Sequence, residues 1–380
     1  MPIVRGHRKR QRVATTANFG AHELRILLLQ GGGALGAYQA GVYEGLDAAG
    51  FAPKWVAGVS IGAINSALIA GNPPERRIER LREFWMRVSA QSPVVLPAGM
   101  DSMRPWMNRM SAASAMVFGI PGFYQPRPLP PYLAPEGSMA ALSYYDTEPL
   151  RATLDELVDF DLVNDGAIRL SLGAVNVRTG ESVYFDSKHD SITASHVMAS
   201  GALPPGFPPV EVDGEYYWDG GIYSNTPLRY VLTDPGLDAL VVQVDLFNSE
   251  GELPQNLDQV QERAKDIEYQ SKLLVSHAMI RDIESLRSAL AHVLAKLPRA
   301  MQSDPEVQKL TTVSQRGPLS LVHLVNRHDT KSSDFKDFEF SRATVEDLWQ
   351  AGHDDVRMAL KHPERGKVTD FGNGVRAYEL

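Results

Sequence analysis

Arg25-Ile-Leu-Leu-Leu-Gln30, followed by Gly31-Gly-Gly-Ala-Leu-Gly36, is the stretch whose reading decides the fold. A short continuous apolar run predicts a parallel strand buried on both faces, because a half-exposed strand would alternate polar and apolar residues. Gly31, Gly32 and Gly33 end it. From Leu35 to Ala49, the four-residue spacing of Tyr38, Val42 and Leu46 predicts a helix, with Gly50 as its C-terminal stop. Lys54–Gly58 predicts a second strand, Ser60-Ile61-Gly62 closes it, and Ala63–Ala70 predicts a second helix. Such a βαβα unit implies a parallel sheet with right-handed crossovers. The expected class is α/β, a three-layer α/β/α architecture with a mainly parallel central sheet.

Two motifs sit in this unit. Gly31 to Gly36 satisfies G-x-G-x-x-G after a strand and before a helix, the dinucleotide-binding fingerprint. That site needs an acidic residue at the end of the second strand. Between Asp47 and Glu75 there is none. Gly58-Val59-Ser60-Ile61-Gly62 stands there instead, with the G-x-S-x-G pattern of a nucleophile elbow that pushes a serine hydroxyl clear of the sheet. One helix separates the two motifs, so the strands are expected to be neighbours, with both loops at the carboxyl edge of the sheet. The N–H groups of Gly31, Gly32 and Gly33 can then face the oxygen that becomes negative when Ser60 attacks a carbonyl. The competing reading is a glycine turn that lets helix and strand pack closely.

Composition narrows the function. The chain of 380 residues has 38 basic and 46 acidic side chains, a formal charge of −8, which argues against nucleic acid as the main partner. It has no cysteine, so disulfides, thiolate metal sites and cysteine nucleophiles are excluded. Residues 1–22 carry Arg5, Arg8, Lys9, Arg10 and Arg12 without an apolar region behind them, and read as a flexible basic tail rather than a secretory signal. Trp55–Pro74 and Ser191–Val210 are long enough to span a membrane, but glycines, asparagines and prolines interrupt them. The expectation is a cytoplasmic protein, peripheral at membranes at most.

A serine nucleophile needs a base. Downstream lies Glu215-Tyr-Tyr-Trp-Asp219-Gly220-Gly221, preceded by the turn-rich Ser200-Gly-Ala-Leu-Pro-Pro-Gly-Phe-Pro-Pro209. Asp-Gly-Gly is by default a turn, although Asp219 follows an apolar run and stands at an expected strand end. His277, His292, His323, His328, His353 and His362 also follow and would allow an α/β-hydrolase triad, though none has a motif context. In their order, the glycine loop, the Ser60 elbow, Ala-Ser-Gly-Ala-Leu-Pro with Phe-Pro-Pro, and Asp-Gly-Gly closely resemble the patatin-like phospholipases over about residues 25–230.

The resemblance implies a Ser60–Asp219 dyad, an oxyanion hole at Gly31, Gly32 and Gly33, supporting roles for Gly36, Gly58, Gly62, Gly220 and Gly221, and hydrolysis of acyl esters without a cofactor. In this reading the carboxylate takes the serine proton and returns it to the leaving group. Many patatin-like sequences carry Arg or Lys where this chain has Leu35, which leaves neutral acyl esters as plausible as phospholipids. The rivals from other classes are a nucleotide-binding module and a membrane-recruited scaffold.

The remaining chain is read from composition. Ile78, Leu81, Phe84, Trp85 and Val88 in Glu75–Val88 predict a helix, either docked on the sheet with a solvated arginine face, the favoured reading, or lying on a membrane surface. Residues 88–135 hold only Asp101, Arg104, Arg109 and Arg127 as charges, together with nine prolines and five methionines. That composition fits a lid over an apolar acyl site or a buried homo-oligomer interface. Asp238–Phe247 and Leu319–Val325 predict further strands. Leu257–Leu297 predicts a long, broken helical stretch, and a helix is expected after Phe340, with Thr344 and Asp347 as a capping box. The expected division is a tail at 1–22, a catalytic domain at 23–247 and a mostly helical extension at 248–380. Ser332-Ser-Asp-Phe335 and Val345-Glu-Asp-Leu-Trp-Gln-Ala-Gly352 make that last part similar to an extension on a subset of bacterial patatin-like proteins.

Overall fold

The computed structural model of the chain describes residues 22–89, 104–234, 237–248, 250–314, 317–328, 337–362, 367–372 and 375–379. Residues 1–21 of the expected tail and 90–103 of the expected lid lie outside them. The chain opens with β1 (Leu24–Leu29), α1 (Gly36–Ala48), β2 (Trp55–Val59), α2 (Ile61–Ala70) and α3 (Arg77–Val88). Next come α4 (Arg104–Phe118), the short strands β3 (Gln125–Pro126) and β4 (Tyr145–Asp146), α5 (Glu148–Leu157) and α6 (Phe160–Asn164). A largely antiparallel section follows: β5 (Arg169–Asn176), β6 (Ser182–Asp186), α7 (Ala194–Ser200), β7 (Val210–Val212) and β8 (Glu215–Asp219). The rest is α8 (Leu228–Leu232), β9 (Ala239–Asp245), α9 (Leu257–Leu294), α10 (Pro305–Ser314), β10 (Leu319–Val325), α11 (Arg342–Lys361), β11 (Lys367–Gly372) and β12 (Val375–Glu379).

Ten of these strands form one sheet in the order β11-β12-β10-β9-β1-β2-β5-β8-β7, with β6 also on β5. Pairing is parallel from β12 through β10, β9, β1 and β2 to β5. As expected, β1 and β2 are neighbours, with Leu29 opposite Gly58. The apolar run of β1 divides with the period of the strand: Leu27 and Leu29 enter the larger core, while Ile26 and Leu28 enter the core on the other face. The larger core takes Leu81, Phe84, Trp85 and Val88 of α3, in agreement with a docked helix. On the opposite face, α8 covers the sheet with Leu228, Val231 and Leu232.

The second half of the chain is helical but also finishes this sheet. β10 lies along β9 in register from Leu319–Ala239 to Val325–Asp245. α11 packs against α1 so closely that a Cβ on Gly41 would strike the Trp349 carbonyl, and one on Gly352 the Tyr38 carbonyl. Two expectations need correction. Leu257–Leu294 is one unbroken helix, because no Gly or Pro interrupts it. α11 begins one turn before the expected capping box: Ser341 is its N-cap, accepting from the Thr344 N–H at 3.3 Å. His22, at the end of the expected tail, is held by Asp238 at 2.8 Å and Ser320 at 2.9 Å. No helix among the described residues is long and apolar enough to cross a membrane; Trp55–Pro74 is β2 followed by α2.

Candidate active site

β2 runs to Val59 and α2 starts at Ile61, so Ser60 alone makes the turn between them. Its backbone sits at φ 57°, ψ −125°. A non-glycine residue there costs on the order of 1–3 kcal/mol, a strain characteristic of functional turns. The turn also explains its flanking glycines. A Cβ on Gly62 would strike the Leu29 carbonyl, and one on Gly58 the Gly62 carbonyl. The Ser60 N–H donates to both the carbonyl and the hydroxyl oxygen of Ser200, each at 3.1 Å. The Ser200 hydroxyl in turn donates to the Gly173 carbonyl at 2.6 Å.

Strand register brings Asp219 to the same place. β5 residues 171–173 pair with β2 on one side and β6 on the other, and residues 174–175 pair with β6 and β8. β2 and β8 therefore follow one another along the same side of β5. Val59 lies opposite Gly173, and Asp219 lies opposite the next residue, Ala174. Asp219 is 2% exposed. Its N–H donates to the Ala202 carbonyl at 3.0 Å, and its Oδ1 accepts from the Gly221 N–H at 2.7 Å. Gly220 is pressed against the Gly173 carbonyl, where a side chain has no room.

The glycine loop arrives over Ser60 from the end of β1. Asn225 pins it: its backbone carbonyl accepts from the Gly31 N–H at 3.2 Å, and its side-chain amide donates to the Gly31 carbonyl at 2.9 Å. A Cβ on Gly31 would come within 3.1 Å of Ser60 Cβ and strike the Asn225 side chain. Gly33 takes φ +55° with the Asp337 carbonyl against it, and that carbonyl accepts from the Ala34 N–H at 2.8 Å. Of the three loop amides expected to face an oxyanion, Gly31 is thus already engaged. Among the described residues, the Gly32 and Gly33 N–H groups meet no acceptor. Gly36 packs on Ile61 and Trp85, joining the loop to the elbow.

These residues line one cleft, open to solvent. Ser60, Asp219, Gly31, Gly32, Gly33 and Gly221 form its polar floor, with Ile61, Ile64, Phe123, Leu203, Phe207 and Phe340 among its apolar walls. Phe123 and Tyr124 belong to the proposed lid stretch, and burial pushes the Tyr124 phenol upward, aided by Tyr145 and Asp337. Elsewhere that stretch exposes apolar side chains: Phe118 is 76%, Tyr132 83% and Leu133 70% exposed. No histidine lines the cleft among the described residues. His323 is buried in β10 beside Asp245 at 3.5 Å, and His328 bonds Asp355 at 3.0 Å. His292 is exposed on α9, His353 lies within α11, and His362 ends that helix; the His277 side chain lies outside the described residues. Ser200, Asn225, Tyr269 and Asp337 also shape the site, and sequence reading gave them no role. For Ser200 the signal was its place in the quoted Ser200–Pro209 stretch.

A family model described as patatin-like phospholipase matches residues 27–232, and a second, described as patatin phospholipase, matches residues 267–370. The first alone spans more than half of the chain, which belongs to the patatin-like phospholipase family. Among solved structures, VipD from Legionella pneumophila is similar at 17% identity, with 90% of this chain and 67% of that chain covered and a TM-score of 0.37. Human GIVD cytosolic phospholipase A2 is similar at 12% identity, with 89% and 60% covered and a TM-score of 0.37. No curated protein matches the chain.

Proposed function

We propose that the protein is a serine hydrolase of lipid acyl esters in which Ser60 is the nucleophile and Asp219 its base. The observation that carries this reading is the register on β5, which sets the residue before Ser60 and Asp219 opposite consecutive residues. Ser60 Oγ attacks the ester carbonyl and passes its proton to Asp219, and the oxyanion takes hydrogen bonds from the Gly32 and Gly33 N–H groups. The alcohol leaves with that proton. Water then repeats the cycle on the acyl-enzyme.

The apolar walls suit a fatty acyl chain. Among the described residues, the charged side chains in the lining are the carboxylates of Asp219 and Asp337, which favour a neutral or zwitterionic leaving group over an anionic headgroup. The exposed apolar stretch of Phe118, Tyr132 and Leu133 reaches the cleft through Tyr132, whose hydroxyl bonds that of Tyr144 at 2.8 Å. The Tyr144 and Tyr145 N–H groups are bonded to the Pro205 and Gly206 carbonyls, between the lining residues Leu203 and Phe207. This is the side that meets a lipid surface. A fluorophosphonate probe should label Ser60, and long-chain esters should be cleaved by the native protein but not by Ser60→Ala. An active preparation whose Ser60 resists the probe would refute the reading.

A further inference from the structure

α9 begins at an Asn256 cap, whose Oδ1 accepts from the Gln259 N–H at 2.9 Å, and its first turns pass beside the cleft. Lys265 pairs with Asp337 at 2.6 Å, so this helix is tied to the segment that holds the glycine loop. One turn on, the Tyr269 ring stacks on Phe247 at 4.7 Å and 20° between planes, while Gln270 donates to the Phe247 carbonyl. The ring is therefore held in one orientation, and it lines the same cleft as Ser60, Asp219 and the glycine loop. Burial, followed by the negative charges of Asp219 and Asp337, pushes that phenol up to about 12. At neutral pH it is a protonated donor.

The place of this donor decides what it can do. In the proposed mechanism the carbonyl oxygen turns to Gly32 and Gly33, and Asp219 must return its proton to the leaving oxygen. That oxygen therefore comes toward Asp219, the carboxylate whose charge acts most on the Tyr269 hydroxyl, in the cleft that both residues line. We propose that Tyr269 binds the leaving alcohol, its O–H donating a hydrogen bond to the ester oxygen as the acyl C–O bond breaks. The Ser60 proton travels through Asp219 to that oxygen, the C–O electron pair stays on it, and the Tyr269 proton remains on the phenol. This role rests on the serine-hydrolase reading above. It belongs to a residue outside the stretch 27–232, within the second match.

The test compares two esters of one fatty acid, 4-nitrophenyl and glyceryl, on the native protein, Tyr269→Phe and Ser60→Ala. A nitrophenolate leaves as a stable anion and needs no donor, whereas a glyceryl alkoxide does. In Tyr269→Phe, kcat/KM for the glyceryl ester should fall roughly 10- to 100-fold, somewhat less than the loss of a full oxyanion donor. For the nitrophenyl ester it should stay within about threefold, since only the missing hydrogen bond distinguishes the two reactions. That second ester is also the control for folding, because the phenyl ring keeps its stack on Phe247. Equal losses on both esters, or none on either, would overturn the role. If Ser60→Ala cleaves both esters as well as the native protein does, the serine-hydrolase reading itself fails and takes this role with it.

Discussion

The amide of Ser60 is shared between the carbonyl and hydroxyl oxygens of Ser200, each 3.1 Å away. A donor engaged in this way fixes the elbow and is not offered to substrate. In the proposed mechanism, stabilisation of a negative oxygen at Ser60 then falls to the loop amides of Gly32 and Gly33.

Gly33→Ala tests this directly. The new methyl group would sit at φ +55° and strike the Asp337 carbonyl, at a cost of about 1–2 kcal/mol for the left-handed backbone alone. We expect kcat/KM to drop about 100-fold, with the unfolding temperature lowered as the Asp337 segment is pushed away. Unchanged kinetics would show that the loop amides do not serve the reaction.

Ser60→Ala and Asp219→Ala should each lower turnover about a thousandfold or more, and the double variant should be little worse than either, because a dyad acts as a unit. Steady-state kinetics on a chromogenic ester reads this. Multiplicative losses in the double variant, or near-native turnover in Asp219→Ala, would require a different base.

Exposed apolar side chains beside the cleft should matter only at a lipid surface. Phe118→Glu combined with Leu133→Glu is expected to cut hydrolysis of vesicle-borne lipid at least tenfold and leave a soluble short-chain ester within about twofold, since both residues are mostly exposed. Vesicle cosedimentation should fall in parallel. If the charged variant binds and cleaves vesicles as before, the surface lies elsewhere.

His196 predicts a pH effect on stability. Burial pushes its imidazole below the ordinary value, against the opposing pull of Asp213 and Asp190, and its Nδ1 accepts from the Thr193 N–H at 3.1 Å. A depressed folded-state pKa means that the unfolded chain binds the proton first as pH falls through about 6.5. Stability is therefore full above that pH and is lost on going down through the folded value. Thermal melts from pH 7.5 to 5 should fall more steeply for the native protein than for His196→Asn, which keeps an acceptor without the charge. Parallel curves would remove His196 from the account.

At the far end of β5, Asp186 is buried beneath Arg169, whose Nε lies 2.9 and 3.0 Å from its two oxygens, and it also accepts from Ser171 and Tyr230, each at 2.7 Å. Burial raises its carboxyl, but these partners outweigh burial and hold it below the usual range. Removing one partner of a buried pair costs about 3 kcal/mol. Asp186→Ala should show that loss in urea unfolding while ester hydrolysis at room temperature persists. A loss of activity without a loss of stability would contradict a purely structural role.

What could be read in advance follows from local chemistry. β1 and β2 betray themselves by the continuous runs Ile26–Leu29 and Trp55–Val59, because strands buried on both faces need no polar alternation. The elbow and glycine loop are legible because backbone geometry at Ser60 and Gly33 demands small neighbours within a few residues. By contrast, Asp337 touches Ala34 across some three hundred residues, and Tyr269 reads as one more residue in a mixed helix. The edge of β5 that receives β8 is likewise set by packing between distant segments. Thr344 imitates the cap that Ser341 supplies, so the sequence pattern sets the start of α11 one turn too late.

β9 is an interior strand only because β10 covers its outer edge. A version trimmed after Phe247 would bare a row of unsatisfied peptide groups along seven apolar-rich residues, a template for chain-to-chain polymerisation. On a sizing column such a fragment should elute as aggregate. Shortening this protein to a minimal form will therefore fail on solubility before the proposed catalysis can be measured.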